Sequence, residues 1–257
     1  AFEAGVYGVP TYVLQDASGA TTQRYFGREH LPRIAWHLTG EQGPAPDIAY
    51  ESGFDAGRTP PATKSLTVCV DFKSAGAYLA VQPTIAMARD AGIDLQWRII
   101  HTPALREPID PGAKPDRGAL HKYTRGRYVM DDLRRYAAHE LYDLHDAERS
   151  DFAAAGLLWV INNQGDVHAY ITAVFARFWQ RRANIDSVAD IADVLAGLGI
   201  EVSGFAGFVE TSGVAQAQSQ REDLAGQGVS FSPTYLLEGE PFQGRQHLPL
   251  LRSLLDG

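Results

Sequence analysis

The chain has 257 residues, 45% of them apolar, and sets 23 Lys and Arg against 31 Asp and Glu for a formal charge of -8. This apolar content supports a packed core and excludes a disordered chain, while the acidic balance argues against nucleic acid and anionic membrane surfaces as partners. No apolar run approaches the roughly 18 residues a membrane helix needs, and the amino end lacks the basic start and apolar core of a signal peptide, so a soluble, cytoplasmic protein is expected.

In chain order, Val9-Pro10-Thr11-Tyr12-Val13-Leu14 reads as a strand. The turn-rich stretch Gln15-Asp16-Ala17-Ser18-Gly19-Ala20 follows, then a return strand, Gly27-Arg28-Glu29-His30-Leu31-Pro32 and an amphipathic helix. The same order returns at the far end as Ser232-Pro233-Thr234-Tyr235-Leu236-Leu237 and Gly244-Arg245-Gln246-His247-Leu248-Pro249. Each copy reads as strand, turn, strand, helix, but only the second is preceded by enough chain to build a domain. A strand pair and one helix cannot bury enough apolar surface to stand alone, so residues 1–40 must lean on something. They are expected to be the carboxyl-terminal part of a first domain, in a fragment of a tandem two-domain protein. The alternatives are a missing companion segment and packing of the hairpin on the second domain. Residues 41–63 are rich in Gly, Pro and acidic residues and read as a linker.

The sole cysteine, Cys69, excludes an internal disulfide and a CxxC pair. It lies in the apolar strand Leu66–Phe72, where a thiol acts as a small hydrophobe. A helix from Ala75 to Ala91 and a strand from Asp94 to Ile100 complete a parallel βαβ unit. Residues 102–118, rich in Pro and charge, form an irregular excursion at the carboxyl edge of the sheet, where ligands of open α/β sheets bind. Four apolar-periodic blocks, Tyr128–Leu144, Ala153–Asn162, Val167–Arg181 and Val188–Leu198, read as helices of an insertion spanning about residues 119–200. A helix at Val214–Gln227, the strand pair from Pro233 and a closing helix Leu248–Leu255 end the domain, residues 64–257.

Several segments carry a family resemblance. Asp71-Phe72-Lys73-Ser74-Ala75-Gly76-Ala77-Tyr78-Leu79-Ala80, Tyr128-Val129-Met130-Asp131-Asp132-Leu133, Ala173-Val174-Phe175-Ala176-Arg177-Phe178-Trp179 and Phe231-Ser232-Pro233-Thr234 stand in the order of the corresponding motifs of 2-hydroxychromene-2-carboxylate isomerases and kappa-class glutathione transferases. The chain resembles this branch of the DsbA-like thioredoxin superfamily over residues 64–257. The resemblance implies an α/β thioredoxin-like fold with a helical insertion, preceded by a partial second thioredoxin-like unit. It implies glutathione as cofactor, a small-molecule substrate, and Ser74 as a catalytic residue whose hydroxyl donates to the glutathione sulfur and favours thiolate. It further implies a cis Ser232-Pro233 bond beside Ser74, with Val9-Pro10 as its counterpart, and places Arg125 near a family lysine that meets a glutathione carboxylate. The family's Ser-Pro is Ser74-Ala75 here, and its Gly-Ser-Asp-Arg, which holds the γ-glutamyl end, corresponds to Gly244-Arg245-Gln246-His247. Arg245 then suits an anionic or differently capped ligand.

Plainer readings stand beside these. Serine is also among the best helix N-caps, and Arg125 can be a solvated surface charge. The histidines have no metal-ligand spacing: His139-Glu140-Leu141-Tyr142-Asp143 lacks the second histidine of a zinc helix, and His30 and His247 suit structural hydrogen bonds near helix starts. Trp159, Phe175, Phe178 and Trp179 read as core of the insertion. Three functions remain open: a glutathione-dependent isomerase or transferase, a thioredoxin-fold binding module without catalysis, and a DsbA-type thiol-disulfide oxidoreductase, against which the missing CxxC argues. The oligomer is open between a homodimer and a chain with a companion segment.

Overall fold

Ser65–Val70 buries Leu66, Val68, Cys69 and Val70 together, so side chains on both faces need cover and the segment is placed centrally in a sheet. This strand, β3, pairs in parallel with β4 (Asp94–Ile99) and antiparallel with β5 (Thr234–Leu237), which pairs with β6 (Glu240–Gln243), giving the order β4-β3-β5-β6. The computed structural model describes residues 4–50, 65–103, 108–137 and 149–256. The expected domain boundary near residue 63 lies outside the described residues.

Helix α2 (Ala75–Ala91) spans the expected range. Its N-cap Ser74 accepts from the Ala77 N–H at 3.1 Å, and its C-cap is Gly92 at φ 65°, a left-handed conformation for which glycine has no steric penalty. Among the described residues, β4 is followed by α3 (Arg117–Tyr136), α4 (Asp151–Asn162), α5 (Val167–Trp179) and α6 (Val188–Gly197). Helix α3 starts well before the expected Tyr128, because Asp116 caps it by accepting from Ala119 N–H at 2.7 Å. The expected continuation of that helix to Leu144, and the His139 segment, lie among residues 138–148, outside the described set. A short α7 (Phe205–Phe208) and a π-helical turn, Val209–Gly213, lead into α8 (Val214–Gly226), and α9 (Leu248–Asp256) follows β6. The turn and α7 were not legible because neither shows helical spacing over a useful length.

One core joins sheet and helices: Phe72 meets the rings of Phe175 and Tyr170, while Tyr78 stacks with Trp179. Helices α4, α5 and α6 meet at Gly156, where a Cβ would collide with the Tyr170 hydroxyl and stand 2.8 Å from Ile191 Cγ2. Tyr170 is fully buried and donates to the Ala153 carbonyl at 2.8 Å, so it cannot swing away. Gly156→Ala is expected to cost about 1–3 kcal/mol through overpacking, read by denaturant unfolding; a gain in stability would show that the helices part freely.

Cys69 is fully buried on β3, and desolvation pushes its thiol up to about 12. It is expected to resist an aromatic disulfide reagent in the native protein and to react with one equivalent on unfolding; rapid native labelling would refute the structural role.

The amino-terminal unit consists of β1 (Thr11–Gln15), β2 (Thr21–Phe26) and α1 (Leu31–Leu38), with β1 and β2 antiparallel. It repeats the geometry of β5, β6 and α9. Thr11 Oγ1 donates to Gly8 O at 2.7 Å, and Thr234 Oγ1 to Phe231 O at 2.6 Å. Gly27 N–H reaches Pro10 O at 3.1 Å, and Gly244 N–H reaches Pro233 O at 2.8 Å. Val9-Pro10 and Ser232-Pro233 are both cis. The pairings also match: Tyr12 opposes Tyr25 as Tyr235 opposes Phe242.

The unit rests on α3. Phe26 N–H donates to Tyr128 Oη at 2.8 Å, Arg135 reaches Arg24 O at 3.1 Å, and buried His30 lies 2.8 Å from Tyr136 Oη and 3.8 Å from Asp132. Desolvation raises Asp132 to about 6, against the opposing pull of Arg135, and desolvation with Arg135 and Arg245 lowers His30 to about 4. An acid whose folded pKa is raised loses stability as pH climbs toward it, here from about 4 to 6. A base whose folded pKa is lowered loses stability as pH falls, here from about 6.5 to 4. The two slopes oppose each other in the parent. Relative to it, His30→Asn should lose stability as pH rises from about 4 to 6, and Asp132→Asn should lose stability as pH falls across the same window. Thermal unfolding at several pH values reads this, and parallel curves for all three proteins would contradict it.

Candidate functional site

The carboxyl ends of β3 and β4, the start of α2 and the turn before β5 converge at one edge of the sheet. Ser74 sits there because the chain leaves β3, turns through Asp71–Lys73 with Ser74 N–H bonded to Asp71 O at 2.9 Å, and enters α2. Ser74 Oγ donates to the carbonyl oxygen of Ser232 at 2.9 Å. The hydroxyl of Ser232 in turn accepts the Asp71 N–H at 2.8 Å. Ser232 and the cis Pro233 are therefore clamped against the mouth of α2 from two sides. A Cβ on Gly76 would lie 3.5 Å from Ser232 O, an ordinary van der Waals contact, so the close approach leaves room for a small side chain there.

Sequence reasoning missed the polar network beneath Ser74. Asp71 is fully buried, and its Oδ1 accepts from Lys73 N–H at 3.1 Å and from the Ser150 hydroxyl at 3.0 Å. Its Oδ2 accepts from Thr102 N–H at 2.7 Å and Thr102 Oγ1 at 2.9 Å, and lies 3.2 Å from the buried Lys73 Nζ. Lys73 Nζ also lies 3.2 Å from His101 Nδ1. Ser150 accepts from Arg221 at 3.2 Å, and Arg221 pairs with Asp151. Burial would raise the Asp151 carboxyl, but hydrogen bonds from Arg221 and Arg149 outweigh it and hold the pKa below the usual carboxylate value. The available signal was Asp71-x-Lys73 beside an apolar strand, since charges there demand partners. The partners stand in the segment after β4, at the start of α4 and on α8, at sequence separations no local pattern reveals.

An open cleft of about 520 Å³ adjoins this network, lined by His101, Arg149, Asp151, Gln218, Arg221 and Ser230, and stops short of Ser74. A second, of about 570 Å³, lies between β2 and α3 beside Arg24, Tyr123, Arg127 and Tyr128. The other two expected ligand residues take no part in the hydrogen bonds of the serine clamp. Arg125 is exposed on α3, with its charge acting on Tyr7. Arg245, 7% exposed, forms a forked pair with Asp47 at 2.8–3.1 Å and lies 5.2 Å from the ring of Tyr136, so its guanidinium ties residues 41–50 and α3 to the turn before α9. Among the described residues there is no His, Cys, Asp and Glu cluster able to hold a metal, and no helix long and apolar enough to cross a membrane.

Solved structures share this architecture. A 2-hydroxychromene-2-carboxylate isomerase superposes with TM-score 0.57 at 23% identity, covering 74% of this chain and 93% of its own. The cytosolic disulfide reductase DsbM from Pseudomonas aeruginosa, solved with GSH, gives 0.52 at 16% identity, covering 74% and 95%. At such identities the likeness is one of fold. No curated protein sequence matches the chain. Residues 68–256 match the DSBA-like thioredoxin domain, and with the sheet order, the helices between β4 and β5 and the cis-proline turn in place, the chain belongs to the DsbA-like thioredoxin family.

Proposed function

We propose that the protein is a glutathione-dependent enzyme of the 2-hydroxychromene-2-carboxylate isomerase type, acting on a small molecule, with Ser74 stabilising a thiolate. The observation that carries this reading is the placement of Ser74 Oγ at the amino end of α2, 2.9 Å from the carbonyl preceding cis Pro233. Glutathione, when bound, supplies a sulfur nucleophile. Rotation of the Ser74 hydroxyl away from Ser232 O would turn its proton toward a sulfur at the helix mouth, where the helix end also favours negative charge. The backbone of Ser232 would then face the tripeptide, and exposed Arg125 would serve a carboxylate. Arg245 is held by Asp47, and Gln246 stands where the family has an acidic residue, so the γ-glutamyl end must be held differently from the family pattern.

That same observation favours the runner-up, a binding module without catalysis. The dithiol reading lacks a reagent, since the sole cysteine is buried. Calorimetric titration of the intact chain with glutathione tests the ligand that the enzyme reading requires, and turnover separates that reading from the binding module. Measurable binding that weakens about tenfold or more in Ser74→Ala is expected under the enzyme reading, matching the loss of one hydrogen bond to a charged group. No binding by the parent, or identical binding by the variant, would sink it, and activity in an insulin-reduction assay would restore the dithiol reading.

A further inference from the structure

We propose that the open edge of β1 is a docking site for a strand–helix–strand segment of the kind formed by β3, α2 and β4, which would extend the β1–β2 hairpin into a second four-stranded sheet. The inference is independent of the glutathione reading. It starts from the match between the two hairpins, which share cis prolines, threonine and glycine hydrogen bonds, and pairing register.

In the complete copy, β3 occupies the other edge of β5, placing Thr67, Val68 and Cys69 opposite Leu236, Tyr235 and Thr234, and α2 packs on α9. That cover leaves Ser232, Tyr235 and Leu255 at 5%, 0% and 3% exposure. Among the described residues, β1 pairs only with β2. Val9 and Leu38, which correspond to Ser232 and Leu255, are 87% and 73% exposed, and Val13 is 43% exposed.

Every second residue of β1 turns its backbone N–H and C=O away from β2, so the open edge offers a row of donors and acceptors with no strand partner among the described residues. Solitary edges are commonly protected by inward charges or lysines, yet Val9 to Gln15 contains no charged residue. Pro10 is no edge device here, because Pro233 occupies the same place beside an internal strand. A second copy of the chain joined β1 to β1 would satisfy the backbone but bring no helix to the face of α1 that exposes Leu38. A strand–helix–strand segment covers both, as β3 and α2 do for β5 and α9, and continues an interface this chain already contains.

The repeat sets the register of a test. A second copy of residues 65–229 is joined to Tyr7 of the chain, so that Gly8-Val9-Pro10 follows it as Phe231-Ser232-Pro233 follows Ser230 in the complete copy. Hydrogen exchange of β1 amides is compared in the parent and the extended chain. The open-edge amides are expected to exchange about 100-fold more slowly in the extended chain, and Val13→Lys in that chain should restore fast exchange. Unchanged β1 exchange, whether or not the added segment is itself protected, overturns the proposal. Light scattering on the parent is a separate check: a monomer agrees, and a dimer that Val13→Lys dissociates would assign the edge to a second copy and overturn it.

Discussion

Replacing Asp71 by alanine is expected to destabilise the protein by about 3–5 kcal/mol, a large share of the 5–15 kcal/mol typical of a folded domain. The side chain is fully buried and accepts from Lys73 N–H, Thr102 N–H, Thr102 Oγ1 and Ser150 Oγ while facing Lys73 Nζ. Its removal leaves those donors without an acceptor and strands the Lys73 ammonium, which is 3% exposed, with His101 as its remaining partner. Unpaired buried charge dominates the loss, so the Asp71→Asn, Lys73→Met double variant should recover most of it by removing both charges. Urea unfolding followed by tryptophan fluorescence measures all of these. A loss below about 1 kcal/mol for Asp71→Ala would mean that Lys73 escapes to water when its partner goes. The consequence reaches the site, because the same turn from Asp71 to Lys73 sets the position of Ser74.

The second large effect falls on chemistry. Under the proposed function, Ser74→Ala should lower kcat/KM about 10- to 100-fold, as expected for losing one charge-assisted hydrogen bond, while its N-cap loss costs about 1 kcal/mol of stability. Ser74→Thr retains a hydroxyl at the helix start and should preserve most of both. Thiolate absorbance of bound glutathione followed against pH gives a further readout: the thiol should titrate higher in Ser74→Ala than in the parent, since the donor to the anion is gone. An alanine variant that loses only stability, with kcat/KM and the thiol titration unmoved, would reduce Ser74 to a cap and favour the binding module.

Local pattern carried much of the fold. The apolar run at Leu66–Val70 and the serine cap with glycine stop of α2 specify their elements within a few residues, because backbone period and capping chemistry are short-range. The repeated Pro-Thr-Tyr and Gly-Arg-x-His-Leu-Pro likewise pointed to two hairpins of one geometry, and the matching registers bear that out. Helix α3 escaped at its start because a polar surface helix capped by Asp116 lacks the apolar spacing on which the reading relied.

Ordered local motifs carried the DsbA-like architecture and the buried setting of Cys69, and the family resemblance implied that Ser74 stands beside the cis-proline turn. What those residues touch came from the packing of the fold. Asp71 gathers Thr102 and Ser150 from distant segments, Arg245 turns to Asp47, and His30 and Asp132 meet across the contact between the amino-terminal unit and α3. The physical reason is that a buried charge is defined by its partners and its dielectric surroundings, and both are assembled by packing between segments far apart in the chain.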